Sequence, residues 1–506
     1  MTASPWSVFL RTAERHAHRP ALCDRTRSYT YAQLASHCVR LAATVRARGA
    51  GTGDSVLVCA DRTVDAVVAT LAVVAAGGTP VPVEPGAPAR RVEHIVRVSN
   101  AAHAVVDDTG APTATGLARV HVSETAAAGE SGAEVTPSPL AYVLFTSGST
   151  GVPKGVDVTA AGLLALLAGA AQWDSAGPGE VWAGVHAFTF DISMWEMWRP
   201  LTVGARLVVL PARAQADARH AHALLTDHGV EVLCQTPTAV RMLANHCAAH
   251  GLPPRLRRLL IAGERLDFAT LTPFAHAADA GRLELWNLYG PTEATVYASG
   301  HRISANDIRA ERRSLIGHAL PHVRLHLPAP DADGIGELCI GGPGLAAGYR
   351  GDPDRTRACF VDDPVLGRVY RTGDLVRETG PGAYEFISRA DGYVKIRGYR
   401  VEPGDIVHAL CAHPAVARAA VVGTDAQGWG DTIVGVVVAA AEVTDLELRR
   451  HLAELLPPYL RPARLLFADT LPTLPSGKLD AATLRTFVDR RLGADADPPE
   501  RTRSRT

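Results

Sequence analysis

The sequence predicts an α/β fold that passes into a β-rich region and ends in a small α+β domain. Three observations predict it. Up to about residue 315, short apolar runs alternate with helical stretches, the pattern of buried sheets with helices on both faces. From there the texture changes to short alternating segments rich in glycine, such as "GELCIGGPGLAAGYRG" and "RVYRTGDLVRE". After Tyr399 the pattern becomes helix, strand, strand, helix, over a stretch long enough to fold separately.

The elements follow in order. "SVLVCA" (55–60) is a strand, and "AVVATLAVVAAGG" (66–78) is a helix that runs into a glycine stop before "TPVPVEP". Further strands are expected at "YVLFTS" (142–147), "ARLVVLP" (205–211), "VEVLCQT" (230–236), "RLLIAGE" (258–264) and "LELWNLYG" (283–290). Past Tyr399, "ARAAVVGT" and "DTIVGVVVAA" supply the strands of the small domain. The polar tail "GADADPPERTRSRT" after Leu492 reads as disordered.

Composition excludes several function classes. A chain of 506 residues is too long for one core and suggests roughly two to four domains. Its net charge of −1 gives no broad electrostatic footprint for nucleic acid or an anionic membrane. No apolar run approaches the roughly 18 residues of a membrane span, and the N-terminus lacks the order of a secretion signal. The eight cysteines are scattered without a C-x-x-C pair, which argues against zinc or a disulfide framework and for a reducing, cytoplasmic setting.

Of 51 basic residues only three are lysines: Lys154, Lys395 and Lys478. Lysine is a compact point charge where arginine is a wide planar fork, so three positions need the smaller head. The first lies in "YVLFTSGSTGVPKG", a strand opening into a loop of small residues. There Thr146, Ser147, Gly148, Ser149, Thr150 and Gly151 can bring hydroxyls and backbone N–H groups around a phosphate, with Lys154 adding charge. This is not the G-x-x-x-x-G-K-[ST] loop, since Pro153 precedes the lysine and Gly155 follows it. Taken alone, such a loop is more often a flexible turn.

Its company decides the matter. "FTFDISMWEMW" (188–198), "NLYGPTEATV" (287–296), "GELCIGGPGLAAGY" (336–349), "YRTGDL" (370–375), "SRADGYVKIRGYRVEPGDI" (388–406), "LPPYLRPAR" (456–464) and "LPSGKLD" (474–480) follow in sequence. With the loop around Lys154 these make eight motifs, which together resemble the adenylate-forming superfamily, and most closely the amino-acid adenylation domain of nonribosomal peptide synthetases. The resemblance runs from "YTYAQL" (29–34) to Asp480. It implies a large N-terminal domain (1–390) with two α/β sheet subdomains and a β-rich subdomain. A small mobile α+β C-terminal domain (391–492) would follow, hinged at Asp391, with a disordered tail from 493.

The resemblance also implies roles. Lys478 would contact the substrate carboxylate and the α-phosphate of ATP, stabilising charge that gathers as one attacks the other. Lys154 would steady the departing pyrophosphate, and Glu293 would bind Mg²⁺, with Thr292 near the α-phosphate. Tyr289 would stack on adenine with Asn287 close to the base, and Asp374, assisted by Arg389, would accept bonds from the ribose hydroxyls. Lys395 would lie on the face presented for thioester formation once the C-terminal domain has rotated at Asp391. Ser388 and Tyr393 depart from the family pattern, which usually has Gly and Gln there; adenylation is expected to survive, and the departures bear on thiolation.

In a helix from Asp191, that residue and Trp195 share a face at i and i+4. Asp191 matches the family aspartate that pairs with the α-ammonium of an amino acid. Ile192, Trp195, Cys234, Leu260, Ala262, Leu288, Val296 and Tyr297 complete the pocket. This lining is apolar, so a charged side chain would be buried without a partner, and Trp195 and Tyr297 take up the room a large aromatic needs. A compact neutral amino acid remains: proline, a small aliphatic, or threonine or serine. The set Leu260, Ala262, Leu288, Val296 is similar to that of stand-alone L-prolyl ligases, whereas Ile192, Trp195, Cys234 and Tyr297 are not.

No H-H-x-x-x-D-G motif occurs, and no Gly-Gly-x-Ser follows Lys478. The expectation is a free-standing ligase that uses ATP and Mg²⁺ and loads the phosphopantetheine of a separate carrier protein; an excised module would look the same. An MbtH-like protein is a further partner to test for. Two other readings stay open: an acyl- or aryl-CoA ligase on the same fold, against which Asp191 argues, and an inactive nucleotide-binding interaction protein.

Overall fold

The computed structural model describes residues 4–110, 116–125, 135–146, 153–310, 314–390, 394–396, 399–401, 403–424, 432–472 and 481–494. They form two compact units, one holding the described residues up to 390 and the other those from 394 onward.

In the larger unit, four parallel strands pair in the order Thr79–Val83, Ser55–Cys59, His103–Val106, Ala118–His121. The helix Val64–Ala75 is buried along nearly its whole length, as its unbroken apolar run requires, and Thr63 caps its start through the Asp65 N–H. The motif "YTYAQL" opens the helix Tyr31–Ala47. Thr30 and Gln33 exchange side-chain bonds with each other's backbone N–H in a capping box.

The second α/β sheet and the β-rich segment are hydrogen-bonded into one sheet of fourteen strands. Its parallel part runs Pro20–Cys23, Arg206–Val209, Val181–Gly184, Val232–Gln235, Arg258–Ala262, Glu284–Tyr289. Antiparallel strands continue from it through Ser299–Ile303, Leu315–Ala319, Ala383–Arg389 and Gly367–Gly380. Successive residues of the parallel strands enter different cores, as a period of two dictates. Leu233, Leu259, Ile261 and Leu285 pack on one face. Cys234, Leu260, Ala262 and Leu288 pack on the other, with the helix Ile192–Val203.

The smaller unit has a sheet of Val416–Thr424, Thr432–Ala439 and Arg464–Phe467, antiparallel then parallel. Ile433 and Val437 pack with the helices Pro403–Cys411 and Asp445–Leu455, and Val434 and Val436 with Leu484 and Val488 of the helix Ala481–Ala494. That helix extends two residues into the tail read as disordered; residues 495–506 lie outside the described ones. Among the described residues no helix is long and apolar enough to cross a membrane.

Candidate active site

The strands Leu140–Thr146 and Lys154–Thr159 form an antiparallel hairpin that sets Thr146 opposite Lys154. From the second strand the Lys154 ammonium reaches the Glu293 carboxylate, with Nζ 3.1 Å from Oε1, and the Tyr349 hydroxyl at 3.2 Å. Tyr349 donates to the same Glu293 oxygen at 2.8 Å, and Lys154 also stands 4.5 Å from the centre of the tyrosine ring. The Lys154 and Glu293 side chains are only 5% and 2% exposed, so each charge offsets the cost of burying the other. Burial, then the Glu293 carboxylate, raises the pKa of the Tyr349 hydroxyl and keeps it a donor.

Local sequence places Glu293. The strand Glu284–Tyr289 ends at Gly290, where a Cβ would lie 2.4 Å from the Val296 carbonyl oxygen, so only glycine fits the reversal. A single turn Thr292–Ala294 follows, and then Thr295 and Val296 adopt φ of 59° and 69°. Such left-handed backbone is uncommon for β-branched residues and is held here from outside. The Thr295 hydroxyl donates to the Gly344 carbonyl at 2.6 Å, and the Ala346 N–H to the Glu293 carbonyl at 2.8 Å. The segments "YGPTEATV" and "GGPGLAAGY" thus brace each other.

A second centre lies where Gly367–Gly380 pairs with Ala383–Arg389, with Asp374 opposite Arg389. Arg389 Nη1 donates to one Asp374 oxygen at 2.6 Å and the Tyr289 hydroxyl donates to the other. The Asp374 N–H donates to Thr372 Oγ1 at 2.9 Å. Burial, then Asp374, raises the pKa of the Tyr289 hydroxyl. Asn287, two residues back on the same strand, is fixed by its side-chain amide donating to the Leu315 carbonyl at 2.7 Å.

The third centre gathers the residues expected to line the pocket. Asp191 caps the helix Ile192–Val203, yet its carboxylate makes no capping bond to the helix backbone. It instead accepts from the Thr292 hydroxyl at 2.6 Å and is 6% exposed. Cys234 and Leu260 are neighbours in register, as are Ala262 and Leu288. With Ile192, Trp195, Val296 and Tyr297, all are buried in one core cluster. Trp195 meets Tyr297 edge-on at 5.5 Å and stacks on Trp173 at 5.4 Å.

Sequence reasoning missed what stands behind these residues. Asp174 binds Arg199 at 2.7 Å and also Arg258, and Glu180 binds Arg257 and Arg258. Arg199 lies 5.9 Å from the Trp195 ring. Glu196 accepts the Val185 and His186 N–H groups at 3.1 and 3.0 Å and binds the His186 ring at 2.8 Å. Tyr349 and the Thr292–Asp191 bond were also missed; Tyr349 closes the quoted "GGPGLAAGY" motif, the signal that could have found it. Of the expected residues, Ser147, Gly148, Ser149, Thr150, Gly151, Asp391 and Lys478 lie outside the described ones. Lys395 belongs to the strand Val394–Ile396, opposite Arg400 on Tyr399–Val401.

Among the described residues no group of three or more His, Cys, Asp or Glu side chains could hold a metal. A single buried carboxylate such as Glu293 does suit Mg²⁺, which takes most of its oxygens from phosphates and water.

Residues 9–350 match the model of the AMP-binding enzyme family, and 406–478 that of the AMP-binding enzyme C-terminal domain. The chain belongs to the AMP-binding enzyme family. It is an adenylation domain of the nonribosomal peptide synthetase type, within the adenylate-forming superfamily. It is 36% identical over 495 residues to syringomycin synthase SyrB1 of Pseudomonas syringae pv. syringae, covering 94% of this chain and 80% of that one. Other curated synthetases are longer: this adenylation domain spans 44% of one and 6% of another. Among solved structures it resembles holo-PA1221, a nonribosomal peptide synthetase protein containing adenylation and carrier (PCP) domains and bound to a vinylsulfonamide inhibitor. The TM-score is 0.82 at 26% identity, over 96% of this chain and 84% of that one. The o-succinylbenzoate CoA synthetase MenE of Bacillus subtilis, at 20% identity and a TM-score of 0.84 over 96% and 98%, shares the fold.

Proposed function

We propose that this adenylate-forming ligase activates a compact neutral amino acid. The amino-acid carboxylate attacks the α-phosphorus of ATP, the bond to the β-phosphate oxygen breaks, and aminoacyl-AMP and pyrophosphate result. A carrier-protein phosphopantetheine thiol then attacks the acyl carbon, forming a thioester, and AMP leaves. The observation that carries this reading is Asp191, a buried carboxylate turned by Thr292 beside an apolar lining. It suits an α-ammonium next to a neutral side chain.

In this reading Asp191 holds the substrate amine, and Ile192, Trp195, Cys234, Leu260, Ala262, Leu288, Val296 and Tyr297 enclose its side chain. Tyr289 and Asn287 meet adenine, and Asp374, oriented by Arg389, accepts from the ribose hydroxyls. Thr146 and residues 147–151 cradle the phosphates, with Thr292 near the α-phosphate. Lys154 balances Glu293 and the charge of pyrophosphate. Glu293 would hold Mg²⁺, which when bound offsets phosphate charge. Lys478 bridges the two reacting anions, and rotation at Asp391 presents the Lys395 face for thioester formation. The thiol belongs to a carrier protein, and an MbtH-like protein is a partner to include in reconstitution.

ATP–pyrophosphate exchange tests it, across proline, threonine, valine, alanine, glycine and benzoate, with Lys478→Ala alongside. The expected result is exchange with a neutral amino acid that the variant abolishes. Exchange only with carboxylates lacking an amine would overturn the role of Asp191 and favour a CoA ligase. ATP binding with no exchange, in the presence of an MbtH-like protein, would overturn activation altogether.

A further inference from the structure

Two polar groups of the proposed pocket are buried without a strong hydrogen-bond partner. Tyr297 is 1% exposed and Trp195 is 0% exposed; the Trp195 indole N–H has no hydrogen-bond partner, and the Tyr297 hydroxyl has only the Cys234 thiol. Folded proteins leave few such groups, because each costs about 1–3 kcal/mol of lost hydration. The two are neighbours, their rings meeting at 69°. Burial above all, then Cys234, Glu196 and Asp191, raises the pKa of the Tyr297 hydroxyl, so it stays protonated and able to donate. The bond to the Cys234 thiol is a weak one, which leaves the hydroxyl free to take a better acceptor.

We propose that the amino acid activated here carries a hydroxyl on its side chain, which Tyr297 and Trp195 recognise through hydrogen bonds. The inference rests on the adenylation reading above and narrows its substrate class. A hydroxyl oxygen can accept from the indole N–H and either accept from or donate to the tyrosine hydroxyl, so its chemistry suits both groups. A primary amide would bring two further donors, for which this lining has only Tyr297 and the thiol. Proline and aliphatic side chains would leave the indole N–H unpaired and the tyrosine hydroxyl with only the thiol. A charged side chain finds no counter-ion among Ile192, Cys234, Leu260, Ala262, Leu288 and Val296.

Pairs of equal shape separate hydrogen bonding from fit. An apolar pocket scarcely tells a hydroxyl from a methyl group, whereas a site built to bond a hydroxyl rejects the analogue that lacks it by several orders of magnitude. Exchange kinetics are therefore measured for serine against α-aminobutyrate, threonine against valine and homoserine against norvaline, with proline and alanine included. One hydroxylated member is expected to exceed its isostere in kcat/KM by about a hundredfold or more. Tyr297→Phe should cut that ratio at least about tenfold, the loss of one buried hydrogen bond, with ATP binding as the check on folding. Preference for proline, alanine or any carbon isostere would overturn the inference and leave adenylation standing. An unchanged ratio in Tyr297→Phe would overturn the role given to that residue. Absence of exchange with every amino acid is the separate failure, that of the adenylation reading.

Discussion

Thr292 donates to the carboxylate that would hold the substrate amine, so its removal should act on amino-acid binding. Valine keeps the shape and deletes one bond to a charged acceptor, worth about 1.5–3 kcal/mol. For Thr292→Val we expect the amino-acid KM to rise about tenfold or more, the KM for ATP to hold, and Thr292→Ser to restore binding. If kcat fell while the amino-acid KM held, Thr292 would act on the transferring phosphate instead. The residue scale is also where the sequence was least complete. Asp191, Trp195 and Asp374 stand out in the sequence because each sits inside a motif whose order is itself a signal. The bond from Thr292 to Asp191 spans 101 residues of chain and leaves no local pattern to read. Tyr349, bonded to both Lys154 and Glu293, was visible as a letter in a motif but not as a contact.

Between elements, the charges behind the pocket join three pieces of chain. Asp174, in the loop before Val181–Gly184, binds Arg199 on the helix Ile192–Val203 and Arg258 at the start of Arg258–Ala262. Those arginine side chains are 5% and 3% exposed, so they rely on Asp174 and Glu180 for compensation. Removing one partner from such a network leaves charge buried and uncompensated, at a cost of about 3–5 kcal/mol. Asp174→Asn should lower stability by about that amount in urea titration. The amino-acid KM should also rise, because Arg199 backs the ring of Trp195. A change under 1 kcal/mol (roughly the worth of an exposed pair) would refute the account. The strands were legible because period and apolar runs are local properties. The joining of the α/β and β-rich parts was not: it depends on the antiparallel pairing of Glu284–Tyr289 with Ser299–Ile303 across the Gly290 reversal. The buried network was hidden for a similar reason, since arginine in sequence reads as surface.

For the whole molecule, His322 makes the response to acid predictable. It is 7% exposed, pressed between Gly169 and Gly344, where a Cβ would come within 3.2 and 3.1 Å of its ring. Burial lowers its pKa to about 4, against a smaller opposing pull from the Tyr297 backbone. A free histidine titrates near ~6.5, so between those values the unfolded chain takes up a proton that the folded chain refuses. The associated stability is therefore complete above pH ~6.5 and is lost as pH falls toward 4, reaching a loss of about 3 kcal/mol there. Near pH 5.5 the loss is about 1.4 kcal/mol. Six of the seven tryptophans belong to the larger unit, so their fluorescence during urea unfolding reports on the fold that contains His322. Comparing the chain with His322→Gln at pH 7.5 and 5.5 cancels the carboxylates and surface histidines common to both. The variant should start less stable, for loss of packing, and should then lose about 1.4 kcal/mol less on acidification. Equal losses in the two proteins would mean that His322 is protonated in the folded state and that another group sets the acid limit.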